Sequence, residues 1–111
     1  MRKVTFDNLI FRTEKEDGIA RARYGFGEYQ LSVIKIPEKK FYEIAIFDEQ
    51  KNFVQLPGIH PKPTDEYDYV DDVIPGMTPE EINGVIAKLQ SIQLANTSWL
   101  SYWKAIYCKH N

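Results

Sequence analysis

The sequence contains little cysteine and no long apolar run. Its single cysteine, Cys108, cannot form an internal disulfide, and free thiols are typical of reducing compartments. No stretch approaches the roughly 18 apolar residues that a membrane helix needs. The residues after Arg2 and Lys3 also lack the continuous apolar core of a signal peptide. We therefore expect a cytoplasmic protein with no membrane partner.

Recognisable catalytic and metal-binding motifs are also missing. Neither His60 nor His110 lies in a motif with a serine or cysteine nucleophile, and Cys108 with His110 would supply two ligands where structural zinc needs about four. Gly25 and Gly27 form a GxG without the third glycine or the following helix of a phosphate-binding loop. We expect a protein that is not an enzyme, with no catalytic residue, no cofactor and no bound metal.

Lysine and arginine are absent from residues 65–87, where acidic residues accumulate. Residues 1–64 carry 11 Lys and Arg against 9 Asp and Glu, whereas residues 65–111 carry 3 against 7. The densest part, residues 65–72, reads DEYDYVDD. It is either a solvated loop kept extended by like charges or an acidic surface for a basic partner, with its tyrosines as rigid contacts. A calcium loop is a third interpretation, but the EF-hand spacing and glycine are missing.

The composition is that of a folded globular domain. Hydrophobic residues make up 43% and aromatic residues 14% of the 111 positions, which is more than disordered chains contain. At this length one hydrophobic core is expected rather than two. We therefore predict a single domain over residues 1–111.

Alternating apolar residues predict an antiparallel sheet of about four strands over residues 19–56. Residues 19–26 and 29–36 alternate with period two around a glycine turn and predict a hairpin. Residues 41–47 are apolar on both faces, which is typical of a central strand, and residues 53–56 are its predicted return strand. Residues 59–76 contain three prolines and five acids and predict an irregular acidic loop.

Strong start signals predict a helix over residues 79–93. Thr78 and Glu81 form a capping box around Pro79 at the first helical position. Apolar residues then recur at steps of three and four, at Ile82, Val85, Ile86, Leu89 and Ile92. Residues 98–108, here called the aromatic tail, repeat this spacing and predict either a second helix or a bent continuation of the first.

The predicted fold class is therefore α+β, with one or two C-terminal helices packed on the sheet. The first helix offers one apolar stripe, whereas residues 41–47 are apolar on both faces. We expect the aromatic tail, or a partner chain, to cover the second face.

Four segments together show a resemblance to a known group of proteins. Residues 22–34 (ARYGFGEYQLSVI), 41–49 (FYEIAIFDE), 53–59 (FVQLPGI) and 77–92 (MTPEEINGVIAKLQSI) place an aromatic hairpin, a central strand, a short return strand and a helix in order. This order resembles small uncharacterised proteins encoded by bacteriophages and prophages. The resemblance implies a viral accessory role in the host cytoplasm and supplies no catalytic residues.

The acidic segment and the aromatic tail are the predicted partner-binding sites. Their candidate residues are Asp65, Glu66, Tyr67, Asp68, Tyr69, Asp71, Asp72, Trp99, Tyr102 and Trp103. We expect a non-enzymatic accessory protein that binds a host protein, for example as an inhibitor of a nucleic-acid-binding defence or replication protein. An isoelectric point near 5.7 argues against direct nucleic-acid binding.

The alternative is a structural or assembly protein that forms a homo-oligomer, such as a homodimer, through the aromatic tail. Aromatic stripes of this kind most often lie in a core. An exposed one would be an apolar patch large enough to mark an interface.

Overall fold

The computed structural model describes residues 3–61 and 71–108, with side chains as far as residue 95. These residues form a short 3₁₀ turn, five strands and one long helix. In chain order they are the 3₁₀ turn Phe6–Asn8, β1 (Arg12–Thr13), β2 (Ala20–Phe26), β3 (Tyr29–Lys35), β4 (Tyr42–Phe47), β5 (Ile74–Met77) and α1 (Pro79–Cys108). The predicted α+β class is confirmed, with one strand more than expected.

The strands pair antiparallel, and neighbours in the sheet are also neighbours in the sequence. The β2–β3 hairpin runs from Ala20 opposite Lys35 to Phe26 opposite Tyr29. Gly27 opens its two-residue turn with a φ of 65°, a left-handed conformation that favours glycine. The hairpin predicted from the period-two pattern is confirmed.

The return strand predicted after β4 is wrong in its extent. The chain pairs back onto β4 through a single bridge, between Phe47 and Phe53. The following residues leave the sheet, because Leu56 is buried in the core and Pro57 has no N–H to donate to a ladder. Residues 53–56 therefore form one bridge rather than a strand.

Strand β5 occupies the remaining edge of β4, although it lies inside the segment predicted to be irregular, residues 59–76. Met77 lies opposite Tyr42, and the register shifts within the pairing. Pro75 and Gly76, which has a φ of 71°, are the residues that disfavour a strand. They are tolerated because β5 is an edge strand and pairs with β4 on one side only. The N–H that proline lacks and the irregular register therefore disrupt no hydrogen bonds to a strand on the other side.

Helix α1 begins with the predicted capping box. The Glu81 N–H donates to Thr78 Oγ1 (3.2 Å), and the Thr78 N–H donates to Glu81 Oε1 (3.1 Å). The helix then runs without interruption to Cys108, so the structure has one continuous helix rather than two. Residues 85–108 contain neither glycine nor proline, and nothing in their sequence ends a helix.

The core lies between α1 and one face of the sheet. Its most deeply buried side chains come from both: Phe26, Leu31, Val33, Ile44, Ile46, Ile82, Ile86 and Leu89. The apolar stripe predicted for the helix faces this core, with Ile92 partly buried at its end. Arg23 and Phe47 lie on the second face of the sheet, away from this core. The tail expected to cover that face has side chains outside the described residues.

The residues before β1 are bound to α1 by side-chain amides of the helix. The Val4 N–H donates to Gln90 Oε1 (3.0 Å), and the Phe6 N–H donates to Asn83 Oδ1 (2.7 Å). Because seven residues make about two helical turns, both amides lie on the same side of α1. Residues 3–8 are here called the N-terminal strap.

We predict that Ile86→Asp unfolds the domain, whereas Ala87→Asp, one position away, does not. Ile86 is 0% exposed, and loss of such a side chain costs about 2–5 kcal/mol before the buried charge is counted. That is a large part of the roughly 5–15 kcal/mol that stabilises a typical domain. Ala87 is exposed. Thermal unfolding followed by circular dichroism measures both variants, and an Ile86→Asp protein that melts like the wild type contradicts the packing of α1.

Candidate functional site

The structure describes the end of the predicted acidic site but not its centre. Asp71 and Asp72 are described, and they lead directly into β5. The other acidic-site residues, Asp65, Glu66, Tyr67, Asp68 and Tyr69, lie outside the described residues. The tail residues Trp99, Tyr102 and Trp103 belong to α1, and their side chains are likewise outside the description.

Both ends of the acidic segment are held at one point by a buried histidine. His60 is 6% exposed. Its Nδ1 accepts the Leu56 N–H (3.1 Å), and its Nε2 lies 3.1 Å from the carbonyl oxygen of Asp72. Since a carbonyl oxygen only accepts, Nε2 must carry the proton and Nδ1 must be bare. His60 is therefore a neutral ring that links the turn before the acidic segment to the strand after it.

The turn that carries His60 is fixed to the helix. The N–H groups of Ile59 and His60 both donate to the Leu56 carbonyl, at 3.1 and 2.9 Å. Gly58 has a φ of 83° in this turn, and its carbonyl accepts a hydrogen bond from Lys88 Nζ on α1. The base of the acidic segment is thus anchored by a buried side chain and by a lysine of the helix.

The two described carboxylates have structural contacts as well as charge. Asp72 Oδ1 accepts a hydrogen bond from Gln55 Nε2 (3.1 Å), and Asp72 is half-buried. Asp71 Oδ1 accepts the Val73 N–H (3.2 Å) and is exposed. Each carboxylate uses one oxygen in a bond that an asparagine Oδ1 can also accept. Asparagine therefore removes the charge at either position and preserves the local hydrogen bond.

The arrangement does not supply a general base at His60. Both ring nitrogens are engaged with backbone groups, so neither is available to take a proton from a substrate or to bind a metal. Among the described side chains, those of residues 3–61 and 71–95, no group of three or more His, Cys, Asp or Glu is close enough to hold a metal ion. What the site offers is charge: a run of carboxylates on a segment whose ends are fixed.

Sequence reasoning missed the role of His60. The only local signal is its place in the turn-forming run Pro57-Gly58-Ile59-His60-Pro61. Its partners are backbone groups, and one of them is 12 residues away. No residue pattern reports such a contact.

No helix in the described part of the chain is long and apolar enough to cross a membrane. No protein-family model, no curated protein and no solved structure matches the chain. The inference of function therefore rests on the contacts within the molecule.

We predict that His60→Ala destabilises the protein by at least about 1–3 kcal/mol, because it leaves the buried Leu56 N–H without an acceptor. His60→Asn keeps an acceptor close to the position of Nδ1 and should recover part of that loss. Urea unfolding measures the free energies, and amide hydrogen exchange at Leu56 reports the bond itself. If Ala and Asn variants are both as stable as the wild type, His60 does not anchor the segment.

Proposed function

We propose that the protein is a non-enzymatic binding protein that presents the carboxylates of residues 65–72 to a basic surface of another protein. The observation that carries the proposal is the contact of His60 with Leu56 and Asp72. It fixes both ends of an acidic run at one place on the molecule. Fixing the ends reduces the conformational entropy that the segment loses on binding.

The charge distribution supports a basic partner. Residues 65–72 contain five carboxylates and no lysine or arginine. A local field of one sign speeds the encounter with an oppositely charged surface and disfavours other partners. Nucleic-acid-binding proteins carry such basic surfaces, and a run of carboxylates competes for them as a substitute for phosphates.

The resemblance to small bacteriophage and prophage proteins suggests the biological setting. In that setting the protein acts in the host cytoplasm as an accessory protein, and its partner is a nucleic-acid-binding defence or replication protein of the host. Inhibition follows because the acidic segment and the nucleic acid compete for the same basic surface.

We predict that the triple variant Asp68→Asn, Asp71→Asn, Asp72→Asn loses binding to a basic partner without losing stability. Exposed charge pairs contribute about 0.2–1 kcal/mol each, so losing three of them lowers the affinity by roughly threefold to about 140-fold. The measurement is displacement of fluorescently labelled duplex DNA from a bacterial histone-like DNA-binding protein, together with capture of partners from a bacterial lysate.

The matched control is Glu16→Gln, Glu38→Gln, Glu49→Gln, which removes three charges from exposed positions elsewhere. It should displace DNA as the wild type does. Raising the salt from about 0.1 M to about 1 M shortens the Debye length from about 10 Å to about 3 Å and should weaken wild-type binding strongly. Equal binding by the two triple variants, or salt-independent binding, contradicts the proposal.

A second candidate function is self-assembly through the aromatic tail, and the length of α1 favours it. Burial along the helix declines after Gln90, with Ile92 and Gln93 half-buried and Leu94 42% exposed. The helix nevertheless continues to Cys108. An apolar helical stripe is stabilised by packing against another element or another chain.

For this candidate we predict that the wild-type protein is a homo-oligomer and that Trp99→Glu with Trp103→Glu makes it a monomer. The reason is that two charges placed among the aromatic side chains cannot be buried at an apolar interface. Multi-angle light scattering over a range of concentrations measures the mass. A wild-type protein that stays monomeric at all concentrations rules self-assembly out.

A further inference from the structure

The outer edge of β2 is largely unpaired. β1 pairs with β2 at two positions only, Arg12 opposite Arg21 and Thr13 opposite Ala20. In the described residues no strand lies on that side of residues 22–26, although β3 pairs with β2 along its full length on the other side. An open edge of this kind presents backbone N–H and C=O groups to any extended chain that approaches.

The hairpin geometry identifies which groups point outward. In a two-residue hairpin the residues flanking the turn, here Phe26 and Tyr29, exchange both backbone hydrogen bonds. Hydrogen bonding alternates along an antiparallel strand, so Tyr24 also bonds to β3, whereas the backbone groups of Gly25 and Arg23 face away from it. Both of these residues are exposed.

Hydrogen bonding near β1 agrees with this alternation. Ile19 lies an even number of residues from Arg23 and Gly25, so its backbone groups point to the same side of the strand. Its carbonyl accepts the Glu14 N–H (3.4 Å) on the outer side of β2. The outward groups are thus bonded where β1 is present. Beyond β1 they have no strand to bond to in the described structure.

A cleft separates the free edge from the N-terminal strap. It has a volume of about 350 Å³, within the roughly 300–1,000 Å³ of ligand sites. Its lining comes from the strap, from β2 and from α1: Lys3, Val4, Asn8, Tyr24, Gly25, Gln90 and Gln93. The strap does not close onto β2 because its backbone N–H groups are bonded to Gln90 and Asn83 of the helix.

Three exposed cations, Lys3, Arg12 and Arg23, belong to the elements around this edge. Lys3 lines the cleft, whereas Arg12 and Arg23 are exposed and lie on the other face of the sheet. No described carboxylate lies within 4.0 Å of Arg12 or Arg23. Arg21 differs, because it contacts Asp17 (2.9 Å) and Glu14 (3.6 Å). A ligand that completes the edge therefore meets cations that have no described carboxylate within 4.0 Å.

We propose that the open edge of β2 binds an extended acidic peptide segment of a partner protein, which adds to the sheet as a strand. Its backbone bonds to the N–H and C=O groups of Arg23 and Gly25. A side chain opposite Arg23 lies on the same face of the sheet, so an acidic residue there pairs with the guanidinium. A side chain opposite Tyr24 points toward the amides of the cleft. Main-chain bonds supply affinity and these two positions supply specificity.

A second copy of the chain fits this edge less well. Pairing two β2 edges around a twofold axis brings the Arg23 side chains of both copies close together on one face of the joined sheet, and neighbouring like charges destabilise a strand pair. The occupant inferred from the charges is therefore acidic and is not this strand itself. Binding at this edge does not depend on the function of residues 65–72.

The test uses the full chain and a synthetic peptide of about eight residues, a common strand length, in which glutamate and valine alternate. A lysine-valine peptide of the same length is the control. The glutamate peptide should shift the amide NMR signals of Arg23 and Gly25 and slow their hydrogen exchange, because it supplies their missing acceptors. The lysine peptide should bind at least about tenfold more weakly.

Two variants separate the backbone contribution from the charge contribution. Gly25→Pro removes the outward N–H at an edge where proline is tolerated and should weaken the glutamate peptide about tenfold or more. Gly25→Ala is the matched control, because its Cβ meets nothing within 4 Å, and it should bind as the wild type does. Arg23→Glu leaves the backbone intact and should reverse the preference between the two peptides.

Three results overturn the proposal. The first is that neither peptide perturbs Arg23 and Gly25, and the second is that Gly25→Pro binds as tightly as Gly25→Ala while both remain folded. The third is that the wild-type protein binds neither peptide but forms a concentration-dependent dimer, and that Gly25→Pro disrupts this dimer. That result would show that a second copy of the chain occupies the edge. Loss of peptide binding in Gly25→Pro and reversed preference in Arg23→Glu together support it.

Discussion

The double hydrogen bond of His60 is the constraint on which the arrangement around β4 depends. The ring accepts from the Leu56 N–H and donates to the Asp72 carbonyl. It therefore fixes where the chain leaves the core and where it returns to form β5. Closing a loop costs entropy that grows only slowly with its length. The two hydrogen bonds, one of them buried, and the burial of the ring offset that cost, and the edge of β4 is completed by a strand distant in sequence.

The same contact explains how a segment of like charge is tolerated on a small domain. Carboxylates in a run repel one another and favour an extended chain. The two ends of the acidic segment are held by His60 and by the Lys88 contact to Gly58, and these contacts lie outside the sheet ladders.

Charge is segregated across the molecule, although the net charge is only −2. The exposed Arg23 lies on β2, and the described carboxylates Asp71 and Asp72 precede β5, three strand spacings away. At about 4.8 Å per spacing the separation is about 14 Å, which exceeds the Debye length of about 8 Å at physiological salt. The two edges differ in another way, since Pro75 and the irregular register limit pairing on β5, whereas β2 has no such protection.

Local signals in the sequence predict the parts of the fold that depend on local physics. The β2–β3 hairpin follows from period-two alternation with Gly27 at the turn, and the start of α1 follows from Thr78 and Glu81. Residues 53–56 were misjudged because alternation does not reveal that Leu56 leaves the sheet for the core. The sequence does not predict β5, because Pro75 and Gly76 are unfavourable in a strand. They are tolerated here because β5 lies at the edge of the sheet.

The candidate sites show the same division. The acidic segment is visible in composition, but the contact that holds its ends together is not, because His60 bonds to backbone groups that any residue provides. The open edge of β2 is likewise hidden, since it arises from the shortness of β1 and not from any residue in β2. Both features are consequences of tertiary structure, so they are visible in the folded protein and not in the sequence pattern.

The most direct test of the account is the protonation state of the His60 ring at neutral pH, measured by long-range nitrogen–proton NMR correlation. Anchoring of the acidic segment requires a neutral ring with the proton on Nε2 and a bare Nδ1 that is hydrogen-bonded to the Leu56 amide. A ring protonated on Nδ1, whether neutral or doubly protonated, contradicts the account, because Nδ1 then cannot accept the Leu56 N–H and the contact that fixes the segment does not exist.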